Sequence, residues 1–236
     1  MYEFQSRIRY SEVDQKETLT LDALLNYFQD CSTFHSEDIG AGLHFYQERS
    51  MGFVLSFWQI MIYRYPSLCE NVTIGTFPYE FRGFTGNRNF YMKDSESKMV
   101  AVANSVWTLL DTKLQRPMKL TQEIIDKYPI EPALSMEYLP RKIQIHGEPV
   151  RREEILVREH HLDTNHHVNN AQYVKMAAQA AGLDFPINML RVEYKNQALF
   201  QDVLIPYVYY YDNQRIVQLK DVTGSKIYAI VEFVSS

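Results

Sequence analysis

The chain repeats itself, and that repeat limits its fold more than any other feature. Setting Asp14 under Asp163 without a gap brings Val13 under Leu162, Leu19 under Val168, Leu24 under Tyr173 and Leu25 under Val174. Further on, Tyr63-Arg-Tyr-Pro…Asn71-Val-Thr-Ile74 falls under Tyr194-Lys-Asn-Gln…Asp202-Val-Leu-Ile205, and Lys98-Met-Val-Ala-Val102 under Lys226-Ile-Tyr-Ala-Ile230. Three blocks in the same order imply one structural unit used twice.

Each copy reads as strand, loop, helix, then several strands. Leu21, Leu24, Leu25, Phe28 and small Ser32 follow helical spacing, with Thr20 as N-cap and Gly40 as stop. The second helix is expected from about Asn170 to Ala181, ended by Gly182. Its alanines (Ala171, Ala177, Ala178, Ala180 and Ala181) let it lie close to a sheet. Strand patterns follow at 58–64, 72–77, 89–93 and 99–110, and again at 190–195, 204–211, 215–221 and 227–234. Lys93–Lys98 and Asp221–Lys226 read as the hairpin turns before each last strand. Two long helices, each on an antiparallel sheet, make an α+β chain. Pro129, Pro132, Pro140 and Pro149 mark a linker, so the expected division is 1–127, a linker at 128–150, and 151–236.

A net charge of −5 provides no global basic field, so nucleic acid is not an expected partner. Cys31 and Cys69 have no CxxC spacing and suggest no disulfide framework, which favours a reducing compartment. The N-terminus lacks the basic-then-apolar pattern of a secretion signal, and the apolar run from Gly52 to Tyr63 is too short to span a bilayer. The expected location is the cytoplasm, away from membranes.

The chemistry concentrates in one stretch, His161-Leu-Asp-Thr-Asn-His-His-Val-Asn-Asn-Ala-Gln-Tyr-Val174. A carboxylate (Asp163), a carboxamide (Asn165) and an imidazole (His167) alternate just ahead of a helix. Such groups can act as base, hydrogen-bond donor and acid. The first copy has Lys16 and Thr18 where the second has Asn165 and His167, so only the second keeps a full set. Asp163 and Asn165 are also ordinary turn and cap residues. His160, His161, His166 and His167 with Asp163 match no familiar metal-ligand spacing, and no metal or other cofactor is expected.

This corner, with Val192-Glu-Tyr-Lys195, Phe28-Gln-Asp-Cys-Ser-Thr-Phe-His35, Arg64-Tyr-Pro66, Val106-Trp-Thr-Leu-Leu-Asp111 and Arg116-Pro117, resembles the acyl-acyl-carrier-protein thioesterases, the plant-type chain terminators and their bacterial relatives. The resemblance covers nearly the whole chain. It implies a tandem (double) hotdog fold, with each long helix on a curved antiparallel sheet. It also implies catalysis in the C-terminal half and an acyl-chain pocket shaped by the N-terminal half. Plant-type members carry Glu-Cys where this chain has Gln197 and Ala198, so no thiol can act there and Gln197 can at most orient water.

The activity implied by the resemblance is hydrolysis of fatty acyl-carrier protein to free fatty acid. The residues expected to carry it are Asp163, Asn165 and His167, with Gln197 assisting. Asp163 would act as base on water or attack directly. The backbone N–H groups of Val168, Asn169 and Asn170, at the positive end of the helix, are the expected oxyanion donors. Leu24, Phe28, His35 and Trp58 are pocket candidates; His35 reads as a packed, hydrogen-bonded histidine or pocket wall. Arg141, Lys142, Arg151, Arg152, Arg158, Lys175, Arg191 and Lys195 gather in the linker and second half. Among them Arg151, Arg152, Arg158 and Lys175 are docking candidates for an acidic carrier protein. The rivals are a hotdog acyl-CoA thioesterase, a hotdog 3-hydroxyacyl-thioester dehydratase, and a non-catalytic acyl binder. A tandem hotdog is compatible with a monomer or a homodimer.

Overall fold

The computed structural model describes residues 1–183 and 185–235. Backbone packing divides them into two units, one of Met1–Ser56 with Ile62–Tyr138, the other of Phe57–Met61 with the chain from Leu139 onward. The Phe57–Met61 segment joins the second unit, which a purely sequential division does not provide for. Both units are α+β with antiparallel strands. Among the described residues no helix is long and apolar enough to cross a membrane.

The first unit contains β1 (Tyr2–Arg7), α1 (Leu21–Asp38), α2 (Leu43–Glu48), the outer parts of β2 (Met51–Ile62), β3 (Asn71–Arg82), β4 (Thr85–Asp94), β5 (Met99–Asp111), β6 (Arg116–Pro117) and α3 (Gln122–Lys127). Its strands run in the order β1-β3-β4-β5-β2, with β6 paired to the end of β5. α1 lies on β3 and β1. Thr20 caps it by accepting the Ala23 N–H, and the face carrying Leu24, Leu25, Phe28, Cys31 and His35 is buried. Phe28 packs on Phe90 of β4, with ring centroids 5.4 Å apart. β2 begins at Met51, seven residues before the expected Trp58. Polar Ser56 does not interrupt it, because its hydroxyl donates to the Val106 carbonyl at 2.9 Å.

The second unit contains β7 (Val150–Arg151), β8 (Ile155–Leu156), α4 (Asn170–Ala181), β9 (Met189–Tyr194), β10 (Val203–Tyr211), β11 (Gln214–Lys220) and β12 (Ile227–Val234). The order is Phe57–Met61 of β2, then β9-β12-β11-β10-β7, with β8 paired to the start of β10. α4 packs on β10, β11 and β12 through Ala171, Tyr173, Val174, Met176, Ala177 and Ala181. Asn169 caps its start by accepting the Ala171 N–H at 2.9 Å, a contribution of about 1 kcal/mol. Gly182 ends it at φ 58°, a left-handed conformation that glycine adopts without steric cost.

No helix or strand forms between Tyr128 and Val150, yet the segment is tied down. In the first unit, buried Asn89 accepts the Leu134 N–H and the Tyr138 hydroxyl through Oδ1, both at 3.0 Å. In the second, Gln59 accepts the Leu139 N–H at 2.9 Å and buried Glu193 accepts the Ile143 N–H at 2.7 Å. Prolines prevent a ladder here, and side chains serve the backbone instead.

The units share several matching backbone hydrogen bonds. Ile8 N–H donates to the Glu70 carbonyl at 2.9 Å, as Val157 does to Asp202 at 2.9 Å. Tyr63 N–H donates to Val100 O at 2.9 Å, as Lys195 does to Tyr228 O at 2.8 Å. These bonds correct the sequence register in the middle block. Tyr63 corresponds to Lys195 rather than Tyr194, and Glu70 rather than Asn71 corresponds to Asp202. Two tyrosines attracted the alignment, but a one-residue slip in a strand turns every side chain to the other face.

Candidate active site

A five-residue turn holds the candidate residues. Asp163 N–H donates to the His167 carbonyl at 2.8 Å, and His166 N–H to the Asp163 carbonyl at 3.0 Å. The carboxylate closes the turn from inside, since Asp163 Oδ1 accepts the N–H groups of Asn165 (2.8 Å) and His167 (3.2 Å). His166 turns the corner at φ 61°. Asp163 and His167 are half-buried, whereas Asn165 is exposed. The turn therefore brings Asp163, Asn165 and His167 together.

Asp14 does the same in the first unit. Its Oδ1 accepts the N–H groups of Lys16 (2.8 Å) and Thr18 (3.1 Å), its N–H donates to Thr18 O at 2.9 Å, and Glu17 sits at φ 59°. The turn-building role of the aspartate is thus separate from any chemistry, because Asp14 has it beside Lys16 and Thr18. What distinguishes the second turn is Asn165 and His167.

Gln197 arrives through the backbone. His167 bridges Leu199, and the Val168 N–H donates to the Ala198 carbonyl at 3.0 Å. The Gln197 side chain is exposed. The same bond corrects the oxyanion assignment. The Val168 N–H is engaged by Ala198, and the Asn169 N–H by the His161 carbonyl at 2.9 Å. Leu19 and Thr20 make the equivalent bonds to Pro66 and Glu12. The first donor joins the loop to the segment that follows β9, and the second closes the loop on its own start; of the three expected, Asn170, the first residue of α4, is the one outside this arrangement.

Leu24, Phe28, His35 and Trp58 are all buried. The first three lie on α1, and Trp58 pairs with Val192 on β9 in the second unit. His35 stacks on Tyr2 at 5.5 Å, and its Nδ1 lies 3.0 Å from Arg88 Nη1. Because a guanidinium only donates, Nδ1 accepts and the ring is neutral. Burial, with the Arg88 charge beside it, pushes the His35 pKa down to about 4. An open groove of about 540 Å³ in the first unit, lined by Ser6, Arg7, Ile8, Arg9, Tyr10, Leu68 and Cys69, contains none of the candidate residues.

The basic residues separate into groups. Arg191 pairs with Glu232, and Lys195 with Glu193, so these two cations are neutralised within the unit. Arg152 lies beside Tyr210, its guanidinium 5.6 Å from the ring centre, and Arg151 pairs with Tyr207. Arg158 and Lys175 are close enough to His161 to act on it. Burial lowers the His161 pKa, and His160, Arg158 and Lys175 lower it further. Among the described residues no three His, Cys, Asp or Glu side chains are grouped to hold a metal ion.

Comparison with solved structures identifies the fold. The chain superposes on an acyl-ACP thioesterase from Bacteroides thetaiotaomicron with a TM-score of 0.87 at 24% identity, covering 98% of this chain and 96% of that one. It superposes on a 12:0-ACP thioesterase from Umbellularia californica with a TM-score of 0.85 at 18% identity, covering 99% and 96%. It therefore has the fold of these thioesterases. The sequence matches the acyl-ACP thioesterase N-terminal domain over residues 1–128 and the C-terminal domain over residues 146–203, and the chain belongs to the acyl-ACP thioesterase family. A chloroplastic acyl-acyl-carrier-protein hydrolase of Cuphea viscosissima is 26% identical over 179 residues, 71% of this chain and 43% of that protein. The chain spans about half the length of the curated relatives it matches.

Proposed function

We propose that this chain hydrolyses the thioester of fatty acyl-acyl carrier protein, releasing free fatty acid and carrier thiol and so ending chain elongation. The observation that carries this reading is the asymmetry between two otherwise matching turns. Family membership supports this substrate class, and only the second turn adds an imidazole and a carboxamide to its aspartate. The matching bonds of the two units support reading each as a hotdog, the long helix lying on its sheet.

In the proposed mechanism Asp163 takes a proton from water as the water attacks the thioester carbonyl. Oδ1 is held by two backbone N–H groups, which leaves Oδ2 to face the water. Asn165 orients that water, and His167 polarises the carbonyl. The tetrahedral intermediate expels a thiolate, whose conjugate thiol has a pKa of roughly 8.5, so little acid assistance is needed. Gln197 supplies a further hydrogen bond to water. Leu24, Phe28 and His35, on the buried face of α1, are proposed to contact the acyl chain within the first unit.

Free-thiol release from matched acyl-carrier-protein and acyl-CoA panels tests the reading. Faster release from the carrier form is expected; preference for CoA would favour the CoA thioesterase, and no release would refute both. Arg158 and Lys175, near the turn, are the stronger docking candidates. Reversing both charges should raise KM for acyl-carrier protein roughly fivefold and leave acyl-CoA turnover unchanged, with a smaller effect at Arg151 and Arg152. Equal KM changes on both substrates would remove these residues from docking.

A further inference from the structure

We propose that Tyr173 is a positioning residue for hydrolysis, its hydroxyl clamping the segment after β9 that carries Gln197 against the backbone of His167 and Val168. The role in catalysis rests on the corner being the hydrolytic site; the clamp itself does not. Tyr173 is buried on α4, and its Oη accepts the Ala198 N–H at 2.8 Å. Ala198 in turn receives the Val168 N–H on its carbonyl, and Leu199 bridges His167. One hydroxyl therefore fixes residue 198 from the helix side while the catalytic turn holds it from the other. Tyr194 steadies the clamp, with its ring centre 5.9 Å from that of Tyr173 and its hydroxyl donating to the Asn170 carbonyl at 3.0 Å.

The first unit supplies the internal control. The residue equivalent to Ala198 is Pro66, whose carbonyl receives the Leu19 N–H at 2.8 Å. The residue equivalent to Tyr173 is Leu24. Proline has no N–H, so nothing on the helix needs to accept one, and leucine suffices. The pair changes together: leucine with proline in the unit without the imidazole, tyrosine with alanine in the unit that has it. An alanine N–H buried at that place without an acceptor would detach that segment from the turn.

The test uses the full chain and two variants, Tyr173→Phe and Tyr173→Phe with Ala198→Pro. Phenylalanine keeps the ring and removes only the acceptor. The first variant should lose about 10- to 100-fold in kcat on acyl-carrier protein with little change in KM, as expected when reacting groups shift by an ångström or less. The Val168 amide should exchange with solvent faster. In the double variant the unsatisfied N–H is gone, and kcat should recover most of the loss. An unchanged kcat in Tyr173→Phe overturns the proposal. So does a loss that a folded double variant fails to rescue, which would mean that the hydroxyl acts elsewhere. Should the double variant not fold, unchanged Val168 exchange in Tyr173→Phe overturns it too. If the unsubstituted protein releases no thiol, the functional reading fails, and the exchange measurement still decides the clamp.

Discussion

Asp163→Asn is expected to lower thioester hydrolysis by about 10²- to 10⁴-fold while the protein melts within a few degrees of the original. The amide Oδ1 can still accept the Asn165 and His167 N–H groups, so the turn keeps its shape. What is lost is the oxygen able to take a proton from water. The matching change in the other unit, Asp14→Asn, preserves the same kind of turn and should leave turnover intact. Initial rates and melting curves for both variants, side by side, separate chemistry from architecture. Near-normal turnover in Asp163→Asn, or an equal loss in Asp14→Asn, would refute the assignment of Asp163 as base.

Acid should destabilise the fold through His35. Above the ordinary histidine pKa of 6.5 the ring is neutral in both folded and unfolded chains, and its contribution to stability is complete. Between pH 6.5 and about 4 the unfolded chain takes up a proton that the folded one refuses, because burial and Arg88 disfavour the cation. Stability therefore falls with falling pH across that window, by on the order of 2–3 kcal/mol in total, and stops falling from this source below it. In His35→Gln the carboxamide can still accept from Arg88 but does not titrate. Urea midpoints between pH 4 and 7 should show a flatter dependence for His35→Gln than for the original protein. Parallel slopes would show that His35 is not the group responsible.

The parts of this molecule legible in sequence were those set by local chemistry. Thr20 and Gly182 sit at helix ends because the side chain of one, and the lack of one in the other, suit the backbone there. The Asp-x-Asn-x-His pattern was readable because a turn brings alternate residues to one place. Longer-range pairing was not legible. Nothing local says that the Val168 and Asn169 N–H groups reach carbonyls at Ala198 and His161, so they read as open oxyanion donors. The repeat was visible, but its register in the strands slipped by one at Tyr63 and Lys195, where helical spacing no longer fixed it. In sequence Tyr173 is one more apolar position on a helix. Its counterpart in the other copy is Leu24, and only the correspondence of Pro66 with Ala198 gives the exchange meaning.

The Phe57–Met61 segment has a further consequence for how the chain is made and engineered. β9 pairs with residues that leave the ribosome about 130 positions earlier, Trp58 opposite Val192 and Ile60 opposite Leu190. That strand cannot complete its hydrogen bonding until well after its partner has been synthesised, a long-range closure of the kind that slows folding. A chimera joined at Leu139 to import another chain's second half would therefore inherit a foreign strand partner from the N-terminal donor. Successful grafts should carry five extra residues, 57–61, from the same parent as β9.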